Sequence, residues 1–118
     1  MAINYDLEER TAKFAESVIA LVKTIKITAI NERIINQLIG AAGSIGANYC
    51  EATEAESKKD FIHKIGISKK EIKETRHWLR LLLNTNPEKK EEVFILQKEV
   101  QELLLIFSQI NRSANKRV

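Results

Sequence analysis

Cysteine and proline are each present once in this chain of 118 residues. A lone Cys50 cannot close an internal disulfide and has no second cysteine with which to share a zinc ion, so a disulfide-stapled secreted scaffold is excluded and a reducing, cytoplasmic home is expected. Glycine is limited to four residues, which rules out a Gly/Pro-rich fibre. No stretch of about 18 residues is free of charged and amide side chains, so no membrane-spanning helix and no membrane partner are expected. The opening Met-Ala-Ile-Asn-Tyr-Asp-Leu-Glu-Glu-Arg is polar and acidic rather than basic then apolar, unlike a secretory leader. What is present suffices for a core: 44% hydrophobic residues beside 30% charged residues in near balance, net +3. The length suits one domain over residues 1–118 and is too short for two.

β-Branched residues do not alternate with polar ones, and the apolar positions instead follow a four-three spacing, the period of an amphipathic helix. Leu7, Phe14, Val18, Leu21 and Ile25, interrupted by Thr11, predict a first helix over 6–26. Ile34, Leu38, Ala41, Ile45 and Ala52 predict a second over 31–54, with Asn48 at a seam position. Phe61, Ile65, Ser68, Ile72, Thr75, Leu79 and Leu82 predict a third over 57–84, entered through Ser57 as N-cap. Asn84-Thr85-Asn86-Pro87-Glu88 reads as a stop and a restart, with Pro87 in the first turn of the next helix. Val93, Leu96, Val100, Leu103, Phe107 and Ile110 place that fourth helix at 88–112, followed by a frayed tail over 113–118. The expected fold is therefore all-α: an antiparallel up-down-up-down four-helix bundle.

Charge is uneven along the chain. Lys and Arg number one against four acids over residues 28–56, but eight against three over 57–86. Lys69, Lys73, Arg76 and Arg80 align as a basic stripe down one face of the third helix, with Lys59 in the same phase. Such a stripe can neutralise a row of phosphates in RNA or DNA. The competing expectation is a solvated face paired with the acidic second helix, since no aromatic residue interleaves with the stripe as a stacking platform.

Other constellations point to structure rather than catalysis. Glu74-x-x-His77 has the spacing of di-iron ligands, and Asp60-x-x-His63 is a near relative. Both lie on one helix, roughly 21 Å apart, and cannot converge on one metal, so no metal or other cofactor and no enzymatic activity are expected. Ser44, Asn48 and Glu51 share one face of the second helix, and the expectation is a polar network tying them to Glu71, Glu74 and Trp78 of the third. Gly40, Gly43 and Gly46 match no phosphate-binding loop and are expected to mark close approach by another helix.

The stretch Gly43-Ser44-Ile45-Gly46-Ala47-Asn48-Tyr49-Cys50-Glu51-Ala52, the run Ser57 to Lys64 and the pattern Lys70-Glu71-x-x-Glu74-Thr75-x-x-Trp78-Leu79 together resemble the bacterial 23S rRNA intervening-sequence family. The likeness spans about residues 5–112. It implies a left-handed antiparallel four-helix bundle assembling as a cyclic homopentamer, in a family whose biochemical role is not established. A related branch, the accessory proteins of diversity-generating retroelements, implies a reverse transcriptase and nucleic acid as partners.

Two stretches, Trp78 to Leu83 and Leu103 to Phe107, are apolar over more than one helix face, and an arc that wide needs a second surface to cover it. Light scattering at micromolar concentration is accordingly expected to give the mass of several chains; a monomeric mass would overturn this.

Overall fold

The four-three spacing closes into a single core. In the computed structural model, which describes residues 6–116, the chain forms α1 (Leu7–Val22), α2 (Glu32–Thr53), α3 (Lys58–Thr85) and α4 (Lys90–Lys116), with a 3-10 turn over Pro87–Lys89. No strand occurs among the described residues. Phe14 and Val18 of α1, Leu38 and Ile45 of α2, Ile65, Ile72 and Leu79 of α3, and Val93, Val100 and Phe107 of α4 belong to one buried cluster. The molecule is a rod of 47 × 22 × 20 Å. α2 packs on α1 and α3, α3 on α4, and α1 on α4, so the helices surround the core in chain order. No helix among the described residues is long and apolar enough to cross a membrane.

Helix ends follow local chemistry. Ser57 caps α3 as expected, its Oγ accepting from the Asp60 N–H at 3.0 Å. α1 stops at Val22, short of the expected 26, where Thr24, Ile25, Ile27 and Thr28 bring β-branched residues of low helix propensity. Ile25 nevertheless turns into the core from the loop. Asn31, only 2% exposed, holds that loop in place. Its Oδ1 accepts from the Thr28 N–H at 2.8 Å, and its Nδ2 donates to the Lys26 carbonyl at 3.0 Å and to Asn86 Oδ1 at 3.2 Å. One side chain thus ties the α1–α2 loop to the α3–α4 turn. Pro87 opens that turn, and α4 proper begins at Lys90.

At the other end, α4 continues through Lys116, which corrects the expectation of a frayed tail over 113–118; residues 117–118 lie outside the described residues. Side-chain bonds support this last stretch where the apolar period ends: Asn115 Nδ2 donates to the Asn111 carbonyl at 2.9 Å, and Arg112 donates to Gln109 Oε1 at 2.7 Å.

Three small polar residues sit in the seams, and each donates to a carbonyl. Thr11 bonds to Leu7 at 2.7 Å and Thr75 to Glu71 at 2.8 Å within their own helices, whereas Ser68 Oγ donates across to the Ile45 carbonyl at 2.9 Å. No buried side-chain polar atom lacks a partner among the described residues. The start of α2 departs by one position from the expected seam: Ile35 is 2% exposed, whereas Ile34 is only partly buried. Near its other end Tyr49 packs against the core and meets the Phe107 ring edge-on at 5.8 Å.

The expectation for the glycines holds at one position of three. A Cβ on Gly46 would stand 2.7 Å from Thr11 Oγ1 and 3.2 Å from Thr11 Cβ, so α1 passes directly over it. Around Gly40 and Gly43 nothing lies within 4 Å, because those positions face away from the neighbouring helices of the chain. Gly46→Ala should therefore destabilise the fold by about 1–3 kcal/mol through overpacking, despite the better helix propensity of Ala. Gly43→Ala, with open space around it, should stabilise by up to about 1 kcal/mol. Urea unfolding of the two variants checks the opposite signs.

Candidate nucleic-acid interface

The core residues of α3 fix which way its charges point. Ile65, Ser68, Ile72, Thr75, Leu79 and Leu82 are buried, so the positions opposite them face solvent. Lys73, Arg76 and Arg80 are exposed and Lys69 is half-buried on the flank. Spacings of four, three and four residues place one cation per helical turn along roughly 16 Å. None of the four has an acidic partner: the ion pairs among the described residues are Arg10 with Glu99 and Glu102, Lys13 with Glu9, and Lys64 with Glu51. Of the α3 cations only Lys64 reaches an acid of α2, bonding Glu51 at 2.6 Å. Within one chain, the expected pairing of the stripe with acidic α2 does not form.

Two shallow grooves border the stripe. One, of about 410 Å³, lies between Lys73, Arg76, His77 and Arg80 of α3 and Gln97 of α4. The other, of about 490 Å³, is lined by Gly66, Lys69, Lys70, Lys73, Glu74, His77 and Trp78. The half-buried Trp78 lies edge-on to His77, with ring centroids 4.9 Å apart and planes at 68°. Trp78 does not interleave with the stripe, but it lines the groove that borders it. A helical wheel puts Trp78 on the α2 flank of the helix, and the groove extends across the exposed face of α3 from Lys69 and Lys73 to the indole. Phase around the helix carries no signal for this, since it puts Trp78 on the other flank.

The polar network expected across α2 and α3 is not formed as drawn. Asn48 Nδ2 donates to the Ser44 carbonyl of its own helix at 2.9 Å, and Glu51 is taken by Lys64. Ser68 makes the interhelical bond instead. The reason is axial register. With Ile45 opposite Ser68 and Glu51 opposite Lys64, Asn48 is level with the turn around Gly66. Glu71, Glu74 and Trp78 lie roughly 8, 12 and 18 Å further along α3. The Glu71 carboxyl is half-buried there, and burial together with the nearby Glu74 carboxylate pushes its pKa up. Glu74 and His77 remain on the groove rim, and no three His, Cys, Asp or Glu side chains converge to hold a metal among the described residues.

These features define a small all-helical bundle protein whose third helix carries an unneutralised basic face. The chain belongs to the family of 23S rRNA-intervening sequence proteins, whose profile matches residues 4–109. It is similar in structure to a Bacteroides thetaiotaomicron protein of unknown function from the S23 ribosomal protein family, with 30% sequence identity and a TM-score of 0.76. That likeness covers 88% of this chain and 96% of the other. Comparison with curated proteins finds no match.

The raised Glu71 pKa has a testable sign. A carboxyl whose pKa is higher in the folded chain favours folding while protonated, and that contribution is lost as pH rises through the folded-state value. Glu71→Gln removes the ionisation, so the variant should melt higher than wild type at pH 7, and the gap should close as pH falls below the ordinary carboxylate range. Thermal melts at pH 7 and pH 3.5 read both.

Proposed function

We propose that this chain is a non-enzymatic nucleic-acid-binding protein that acts as an assembly of several copies, with Lys69, Lys73, Arg76 and Arg80 as phosphate contacts. The observation that carries this reading is the row of four cations without an acidic partner. In an otherwise nearly balanced chain, such a row keeps much of its attraction for phosphate, since no carboxylate among the described residues forms an ion pair with it. Contacts of this kind position a nucleic acid without reading its bases.

The same proposal includes an antiparallel up-down-up-down arrangement of the four helices. Higher residue numbers of α2 meet lower ones of α3, as in Ile45 with Ser68 and Glu51 with Lys64. Likewise Arg10 meets Glu99, and Leu21 shares a groove with Glu92. A cytoplasmic, ring-shaped homo-oligomer, a pentamer as the family resemblance implies, gives the uncovered α4 residues Phe94, Ile95 and Leu105 a neighbour; they are 48%, 68% and 61% exposed. Those same residues favour a second reading, in which the ring is a protein-interaction scaffold such as an accessory protein to a reverse transcriptase.

Titration of the purified oligomer with a labelled structured RNA and a labelled DNA duplex, at low and physiological salt, separates the readings. Four phosphate contacts per bound chain predict that log K falls with log salt at a slope of about −3 to −4. Joint replacement Lys69→Glu, Lys73→Glu, Arg76→Glu and Arg80→Glu should abolish binding while helicity and oligomer mass stay unchanged. Intact rings that bind neither ligand at low salt would leave the scaffold reading.

A further inference from the structure

We propose that the groove between the basic stripe and Trp78 is a site for single-stranded nucleic acid, in which the Trp78 indole stacks a base while the stripe holds the backbone. This rests on the nucleic-acid reading of the same helix and names the form of nucleic acid it takes. Trp78 is the only tryptophan of the chain. It is half-buried beside His77, which it meets through an edge contact that leaves ring area uncovered. Its ring packs in part against the core without being fully buried, and its indole N–H donates to no group among the described residues, so the polar tip is not used up by the fold.

The groove is open at its end because Gly66 has no side chain. A Cβ there would meet only Asn111 Nδ2, at 3.9 Å. Its volume of about 490 Å³ leaves room for a flat base against the indole. Polarity sets the orientation. Lys69 and Lys73 stand on the stripe side, and Glu74 stands with Trp78 on the other. A carboxylate repels phosphate but accepts from the exocyclic amino group of a base, so the backbone is drawn to the cations and the base to the Glu74 and Trp78 side. On the opposite flank, Gln97 offers an amide to a second base edge beside Arg76 and Arg80.

The straightness of the stripe selects the strand. Phosphates of a duplex wind around its axis, so a straight row about 16 Å long meets few of them at once. A flexible strand can lay consecutive phosphates along the row and turn its unpaired bases into the groove, where stacking on an aromatic tolerates any sequence. A duplex keeps its bases stacked on one another and cannot reach the indole without unpairing.

The chain carries its own probe, since all tryptophan fluorescence comes from this groove. The oligomer would be titrated at low salt with a twelve-nucleotide oligocytidylate, with an RNA duplex of the same length and with inorganic polyphosphate, which has the charge but no base. Saturable quenching by the single strand alone, together with tighter binding of the single strand than of the duplex, is the expected result. Trp78→Leu should weaken single-strand binding about 5- to 100-fold and leave polyphosphate binding unchanged, while Trp78→Phe keeps most of the affinity. Salt-sensitive binding with unchanged fluorescence, or a folded Trp78→Leu variant that binds the single strand as tightly as wild type, would overturn the stacking site and leave the phosphate stripe standing. Failure of wild type to bind all three would overturn the nucleic-acid reading and this site with it. The wild-type quenching measurement decides the matter even where the leucine variant does not fold.

Discussion

The Ser68 hydroxyl, fully buried, donates to the Ile45 carbonyl of the neighbouring helix. Slipping α3 along α2 by one turn would leave that donor unmet in a dry seam, at about 1–3 kcal/mol, so the bond holds the two helices in one axial register. The next residue of α2, Gly46, is the point at which α1 crosses with Thr11 against the bare backbone. Thr11 is itself held by its bond to the Leu7 carbonyl. Two consecutive positions of α2 therefore set its relation to both neighbours. Small polar side chains achieve this because they occupy little room between the axes and use backbone acceptors already present there.

The distribution of charge follows from that register. Once Ser68 and the apolar residues around it face inward, the cations at 69, 73, 76 and 80 are turned away from the acids of α2. Lys64 alone stands on the α2 flank, at the level of Glu51. Arg10 shows the contrasting case: lying between α1 and α4, it gives two hydrogen bonds to Glu99, at 2.7 and 2.9 Å, and one to Glu102 at 2.9 Å. Those bonds hold its guanidinium protonated well beyond its ordinary range. Both regions contain acids and bases in quantity, but the packing neutralises one and leaves the other bare. Like charges one turn apart repel each other slightly, and a polyanion relieves that repulsion as it binds.

Much of the fold was legible because helix periodicity reports direction around an axis. Ile65 through Leu82 and Val93 through Phe107 are buried where the spacing puts them, and Ser57 caps α3. What periodicity does not report is position along the axis relative to a neighbour. Ser44, Asn48 and Glu51 do share a face, yet Glu74 and Trp78 lie about two to three turns beyond Asn48, as the Ser68–Ile45 and Lys64–Glu51 contacts reveal. The glycines differ for another reason, their direction around the axis: Gly46 faces α1, with Thr11 against it, whereas Gly40 and Gly43 face away from the neighbouring helices. The basic stripe was legible as a row, since its members lie on one helix. Its lack of acidic partners, and the place of Trp78 beside it, depend on packing between helices and on side-chain reach.

The uncovered apolar residues and the unpaired cations occupy different helices, and this separation bears on how a weak site becomes useful. Phe94 and Leu105 point outward from α4, while the stripe belongs to α3. If assembly covers the α4 residues, it leaves the stripes open and repeats them once per copy. On the proposed reading, four phosphate contacts and one stacked base would make a modest site, strongly weakened by physiological salt. Sites held a fixed distance apart act on one strand as an intramolecular set, which raises the overall affinity by roughly 10²–10⁴ without any new contact, provided the strand spans them. A flexible single strand meets that condition over a wide range of separations, whereas a duplex of the same length can meet it only where the spacing of the stripes matches its helical repeat.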